Sequence, residues 1–191
     1  MNVRMVTRAS LEQSPPIQRL ATYLHLVGNP CHVYCVGGDG PASSAIDGGP
    51  LSVAVTRVPK AQAGPRLRRL FSDLSALVRA LREEETRADD VWLAYDPYGL
   101  LACVLAGVHR NAATVYYAAE YWDEPHFVLQ RLAESLGRNR ISGQISAEQN
   151  RLDLLTRRLA LSSPGIVVPN ACFDLVSLVG LRQARPGTRI Q

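Results

Sequence analysis

The chain has 191 residues, 47% of them hydrophobic and 20% charged, with a formal net charge of +4. That balance excludes a disordered chain and suits one globular domain long enough to bury a real core. The mild positive charge is compatible with an anionic partner without demanding one, and nucleic-acid binding is not expected because neither a dense basic surface nor aromatic platforms stand out.

In chain order, Asn2–Thr7 reads as a first strand. Ser14-Pro15 then opens a helix with an N-cap and a first-turn proline. Ile17, Leu20, Ala21 and Leu24 recur at helical spacing until Gly28-Asn29-Pro30 stops them. Cys31–Val36 (CHVYCV) has the β-branched and aromatic content of a second strand, Gly37–Pro50 is a Gly-rich loop, and Leu51–Val58 is a third strand. Leu67, Leu70, Phe71, Leu74, Val78 and Leu81 then fall on one helical stripe, read as a core-facing side.

The stretch VWLAYDPYGLLACVLAGV, residues 91–108, is apolar except for Asp96-Pro97. A membrane span needs roughly 20 residues with few or no charges, and Asp96-Pro97 divides this one into a buried strand, Val91–Tyr95, and an apolar helix from Tyr98 to Val108. Ala113–Ala118 is a fifth strand. Leu129, Leu132, Ala133 and Leu136 mark a helix, and Ser146 with Gln149 reads as a capping box ahead of Leu152, Leu155 and Leu159. Gly165–Val168 is a last strand, turned by Pro169-Asn170 into a closing helix. Strands alternating with helices predict an open, mostly parallel Rossmann-like α/β sheet of about six strands with helices on both faces. Residues 1–181 form the domain and 182–191 a tail or linker.

In such sheets ligands bind outside the carboxyl ends of the strands, where helix N-termini favour anions. Three polar clusters fall there: Asp96-Pro97-Tyr98-Gly99, Glu120-Tyr121-Trp122-Asp123-Glu124, and Asn170; the loop Arg8–Pro16 after the first strand joins them, as could Gly37-Gly38-Asp39 after the second. Asp96 and Asn170 also suit helix N-caps, and Glu120 a solvated loop. Carboxylates beside aromatic faces are one way proteins hold sugars. No G-x-G-x-x-G follows the first strand, and neither G-x-x-x-x-G-K-[ST] nor G-x-S-x-G is present, which sets aside dinucleotide, P-loop and serine-hydrolase chemistry. His25, Cys31, His32 and Cys35 straddle a helix and a strand, so no metal site is expected from them. Cys31, Cys35, Cys103 and Cys172 form no disulfide framework, and Arg4, Arg8 and Glu12 interrupt any signal sequence, so a cytoplasmic protein with reduced thiols is expected. Arg66, Arg68 and Arg69 read as a solvated helix end or, alternatively, as a peripheral contact with an anionic membrane or a lipid-linked phosphate.

The stretches IQRLATYLHLVGNPCHVYCV, DVWLAYDPYGLLACVLAG, TVYYAAEYWDEP and AEQNRLDLLTRRLALSSPGIVVPNACFDLVSLVG together resemble the N-terminal, acceptor-side domain of the GT-B glycosyltransferases, in particular the large retaining family four. The resemblance implies a hexosyl-type transferase that takes a nucleotide-sugar donor as co-substrate and needs no further cofactor. Its sugar or lipid-linked acceptor would lie along the carboxyl edge of the sheet. Asp96 and Glu120 become catalytic candidates (Glu120 stands where many relatives have a histidine), and Tyr98, Gly99, Trp122, Glu148 and Asn170 become substrate contacts. In that family the donor belongs to a second, C-terminal lobe, so a donor-binding lobe or partner chain is expected. A lone lobe would expose the apolar face that meets its partner, so self-association into a homo-oligomer is a further expectation. The competing expectation is a non-catalytic α/β protein-interaction module.

Overall fold

A computed structural model of the chain describes residues 2–37, 43–45, 52–118, 128–159 and 164–167. The strands are β1 (Val3–Val6), β2 (Cys31–Val36), β3 (Ser43–Ala45), β4 (Ser52–Val58), β5 (Val91–Ala94), β6 (Ala113–Ala118), β7 (Gly143–Ser146) and β8 (Gly165–Val167). The helices are α1 (Pro15–Leu26), α2 (Arg66–Glu83), α3 (Pro97–Ala106), α4 (Val128–Gly137) and α5 (Gln149–Leu159).

The strands make one eight-stranded sheet in the order β3-β4-β2-β1-β5-β6-β7-β8. Every pairing is parallel except that of β3, which runs antiparallel along β4. The sheet is thus the expected open, mostly parallel kind, with two strands more than the six expected. β3 sits inside the stretch read as loop, where SSA carries no hydrophobic alternation. In β7 the sequence GQIS is polar, and Ser146, read as a helix cap, is its buried last residue. Its Oγ has no partner among the described residues, so the capping box does not form. The backbone carbonyl that receives the first α5 bond, from Leu152 N, belongs to Glu148.

Successive strand residues face opposite sides of a sheet, and they divide the core in two. Val6, Tyr34, Val36, Val58, Trp92, Ala94, Tyr116 and Ala118 meet Leu77, Leu81, Leu100, Ala133 and Leu155 of α2, α3, α4 and α5. On the other face Met5, Val33, Cys35, Val55, Leu93 and Tyr95 meet Leu11 of a 3-10 turn and Ile17 and Ala21 of α1. Burial of both faces explains why these strands read as unbroken apolar runs.

The stripe expected of α2 is only half buried. Leu74, Leu77, Val78 and Leu81 are core, whereas Leu67 and Phe71 stand 68% and 64% exposed. Their period is correct, but the helix outruns the layer beneath it. Of the residues that mark α4, Ala133 is buried and Leu132 is exposed. Among the described residues no helix is long and apolar enough to cross a membrane. The most apolar, α3, has only 10 residues.

Candidate functional site

Strand order fixes where a site can form. From β1 the chain moves outward through β2 to β4, then returns to lay β5 against the other side of β1. The reversal lies between β1 and β5, and the crevice outside their carboxyl ends is where open α/β sheets take ligands. Thr7 and Arg8 follow β1, and Asp96 follows β5. These residues are bonded to one another.

One carboxylate makes the knot. Asp96 Oδ2 accepts from Thr7 Oγ1 at 2.7 Å and from the Arg8 amide at 2.8 Å. Oδ1 accepts from the Gly99 amide at 2.6 Å, making Asp96 the N-cap of α3 with Pro97 in the first turn. Thr7 Oγ1 in turn accepts from Ala9 N at 3.0 Å. A carboxylate offers about four lone-pair sites, so three of them serve to hold the exit of β1 against the entry of α3.

Gly99 permits that contact. A Cβ built there would lie 2.1 Å from the Val6 carbonyl oxygen, so the first turn of α3 sits directly on the backbone of β1. Tyr98 is buried, and its hydroxyl donates to the Leu70 carbonyl of α2. Burial pushes its phenol up to about 12, so it remains a neutral donor. The Arg8 guanidinium lies 5.2 Å over the Tyr98 ring and 3.6 Å from Asp73 Oδ2. Asp73 is 1% exposed and also accepts the Ala61 amide at 2.9 Å, while the Arg8 side chain is 42% exposed. The rim therefore combines one solvent-facing cation with two fixed carboxylates.

Of the residues predicted from sequence, Asp96, Tyr98 and Gly99 come together here. Glu148 is at the same edge but follows β7, two strands beyond β5 and so about 10 Å along the rim; it is exposed and pairs with Arg151 at 3.4 Å. Glu120, Trp122 and Asn170 lie outside the described residues. The strand before Glu120 and Trp122 is nonetheless parallel to β5, with Ala94 opposite Tyr116, so the chain leaves both strands at one edge. Arg8 belongs to the loop after the first strand that was expected at this edge, whereas Thr7 and Asp73 were not anticipated as site residues. Asp73 carried a signal, since it interrupts the apolar face of α2 between Leu70 and Leu77.

The described thiols add no nucleophile. Cys31, Cys35 and Cys103 are buried, and burial drives each thiol upward, Cys31 to about 12. His32 Nε2 lies 2.8 Å from Thr56 Oγ1, at the amino-terminal end of β2 and away from the rim. Among the described residues no three His, Cys, Asp or Glu side chains gather in a way that could hold a metal ion.

No family profile and no curated protein matches the sequence. Solved structures do match in fold. A sucrose-phosphate synthase from Thermosynechococcus elongatus superposes with a TM-score of 0.65 at 12% identity, over 96% of this chain and 97% of that one. HepE from Anabaena, in complex with UDP and glucose, gives 0.59 at 16% identity, over 96% of this chain and 50% of that one. UGT71G1 from Medicago truncatula, complexed with UDP-glucose, gives 0.53 at 10% identity, over 88% and 51%. These neighbours are GT-B glycosyltransferases. The chain has the fold of a single GT-B lobe. It spans about half the length of the HepE and UGT71G1 chains. Within this fold, the β1–β5 rim is the candidate site.

Proposed function

We propose that the chain is the acceptor-binding lobe of a glycosyltransferase, acting with a donor-binding lobe that holds a nucleotide sugar. The observation that carries this reading is the Thr7–Arg8–Asp96 knot at the sheet's switch point, in a lobe whose fold matches GT-B enzymes. Supporting it, HepE and UGT71G1, which this chain half spans, are described with UDP and glucose or UDP-glucose bound.

In such a transfer the acceptor hydroxyl attacks the anomeric carbon, its proton passes to a base, and the sugar–phosphate bond breaks to release a nucleoside diphosphate. A rim of fixed groups lowers that barrier by orienting the acceptor and by opposing developing charge. Asp96, with one acceptor position to spare, orients the acceptor hydroxyl. Glu120 takes its proton. Arg8, the solvent-facing cation, faces the anionic leaving group. Trp122, Glu148 and Asn170 are the proposed acceptor contacts, while Tyr98 and Gly99, both buried, act by seating Asp96. Whether the donor lobe is joined in one polypeptide or supplied in trans, the rim residues have the same task.

The test combines the chain with a donor-binding GT-B lobe and follows sugar transfer from UDP-glucose. Arg8→Gln is expected to lower kcat/KM on the order of 100-fold, the scale of losing one charge-stabilising group. Asp96→Asn and Glu120→Gln should each fall well below the parent. Transfer by both carboxylate variants at the parental rate removes the assignment, and no transfer or sugar binding under any pairing leaves a non-catalytic interaction module.

A further inference from the structure

The first six residues of α2 carry two features at once. Leu67 and Phe71 continue the stripe of Leu74, Val78 and Leu81, yet they are 68% and 64% exposed. Arg66 and Arg68 flank them along the helix and Arg69 lies on its far side, all three exposed. Positions 59–72 contain Lys60 and these three arginines and no Asp or Glu, while Arg57 just before them is paired with Glu12. The first acid along α2, Asp73, is buried and paired with Arg8, so it does not offset the arginines at the surface. Beside them a groove of about 460 Å³ is lined by Ala61, Ala63, Gly64, Arg68 and Ser72.

We propose that this end of α2 docks on the surface of an anionic lipid bilayer, with Leu67 and Phe71 entering the headgroup–acyl boundary and Arg66 and Arg68 meeting lipid phosphates. An apolar helix face flanked by cations is the composition of an interfacial helix; Arg66 and Arg68 flank Leu67 and Phe71, and Arg69, on the far side of the helix, still lies within a Debye length of the bound surface. Each arginine near an anionic leaflet raises partitioning roughly five-fold. A second copy of the chain is a poor occupant, because a two-fold contact through this patch sets the same arginines against each other. A membrane supplies both the missing apolar cover and the missing negative charge. The inference does not rest on sugar transfer. If both hold, the docked patch lies at the strand edge that carries Asp96, since Tyr98 and Arg8 bond to α2 at Leu70 and Asp73.

The intact chain is sedimented with vesicles of phosphatidylcholine alone and of phosphatidylcholine with phosphatidylglycerol. Binding to the anionic vesicles only, weakened by salt, is expected. Replacing the three arginines by serine should reduce it on the order of 100-fold, and Leu67→Ser with Phe71→Ser at least about ten-fold. Because all five side chains are exposed, thermal melts should not move. An otherwise native Phe71→Trp variant should show indole emission that shifts blue on anionic vesicles and is quenched by brominated acyl chains. A chain that stays in the supernatant, binding that survives Leu67→Ser with Phe71→Ser, or an unquenched indole each overturns the proposal. So does self-association that Phe71→Ser abolishes in a chain that ignores vesicles.

Discussion

Asp96 is a residue with two descriptions that agree. As a cap it satisfies the Gly99 amide, and as a brace it takes the Thr7 hydroxyl and the Arg8 amide. The same three bonds that keep α3 on β1 also fix the carboxylate at the rim. The packing beneath it leaves no slack. With 2.1 Å between a new methyl group and the Val6 carbonyl, Gly99→Ala is expected to cost at least about 2 kcal/mol, a loss of roughly 4–8 °C in Tm, read by calorimetry. A second residue-scale effect sits at the opposite edge. Burial holds the His32 ring below its ordinary value of 6.5, with Arg4 adding to the effect and Glu84 opposing it. The unfolded chain then takes up the proton more readily. The stability that neutral His32 supports is therefore complete above about pH 6.5 and lost as the pH falls through the folded-state value. Urea midpoints measured from about pH 7 down to about pH 5 should decline, and His32→Gln should flatten the decline. His109, also lowered by burial and by Arg140 and Arg110, contributes in the same direction.

At the scale of elements, helices and strands differ in how far their sequences disclose them. Cys31–Val36 and Ala113–Ala118 were legible to the residue, because strands buried on both faces must be apolar throughout. β3 and β7 were not: SSA pairs along one edge of the sheet without apolar alternation, and GQIS, next to the strand at the other edge, is buried with polar side chains that no apolar pattern marks; hydrogen bonds from neighbouring strands hold them in the sheet. Periodicity correctly marked a stripe on α2 but could not report where the underlying layer ends, which depends on strand positions in three dimensions. The two ends of α2 should therefore respond differently. Leu77→Ala, at a fully buried position, is expected to destabilise by about 2–5 kcal/mol, whereas Leu67→Ala should change stability by less than about 0.5 kcal/mol. Equal losses in parallel denaturant melts would contradict the described burial. The site was legible to a similar extent. Asp96 stood out as a charge in an apolar run, but Thr7 and Arg8 lie 89 and 88 residues from it, a distance no local pattern spans.

For the whole molecule, parallel topology and ligand edge are one fact. Six strands run in the same sense as β1, so their carboxyl ends share a rim, and the reversal beside β1 opens the crevice where Asp96 and Arg8 meet. Two readings then predict different things of the intact chain. A transferase lobe transfers nothing alone and gains activity with a donor-binding lobe. A self-sufficient module is indifferent to that addition.

Of the described strands of this lobe, the one that comes first along the chain ends up in the middle of the sheet. β1 acquires its second neighbour only when Val91–Ala94 has been made, and at 5–20 residues per second that delay is roughly 4–18 s. Until then one flank of β1 offers unpaired amides and carbonyls, an invitation to misassociate. Ribosome-bound chains halted before residue 91 should thus be cleaved readily by protease and be held by chaperones. Chains halted well past residue 118, with β6 clear of the tunnel, should resist. Vectorial synthesis leaves this lobe's centre unfinished until its second half arrives.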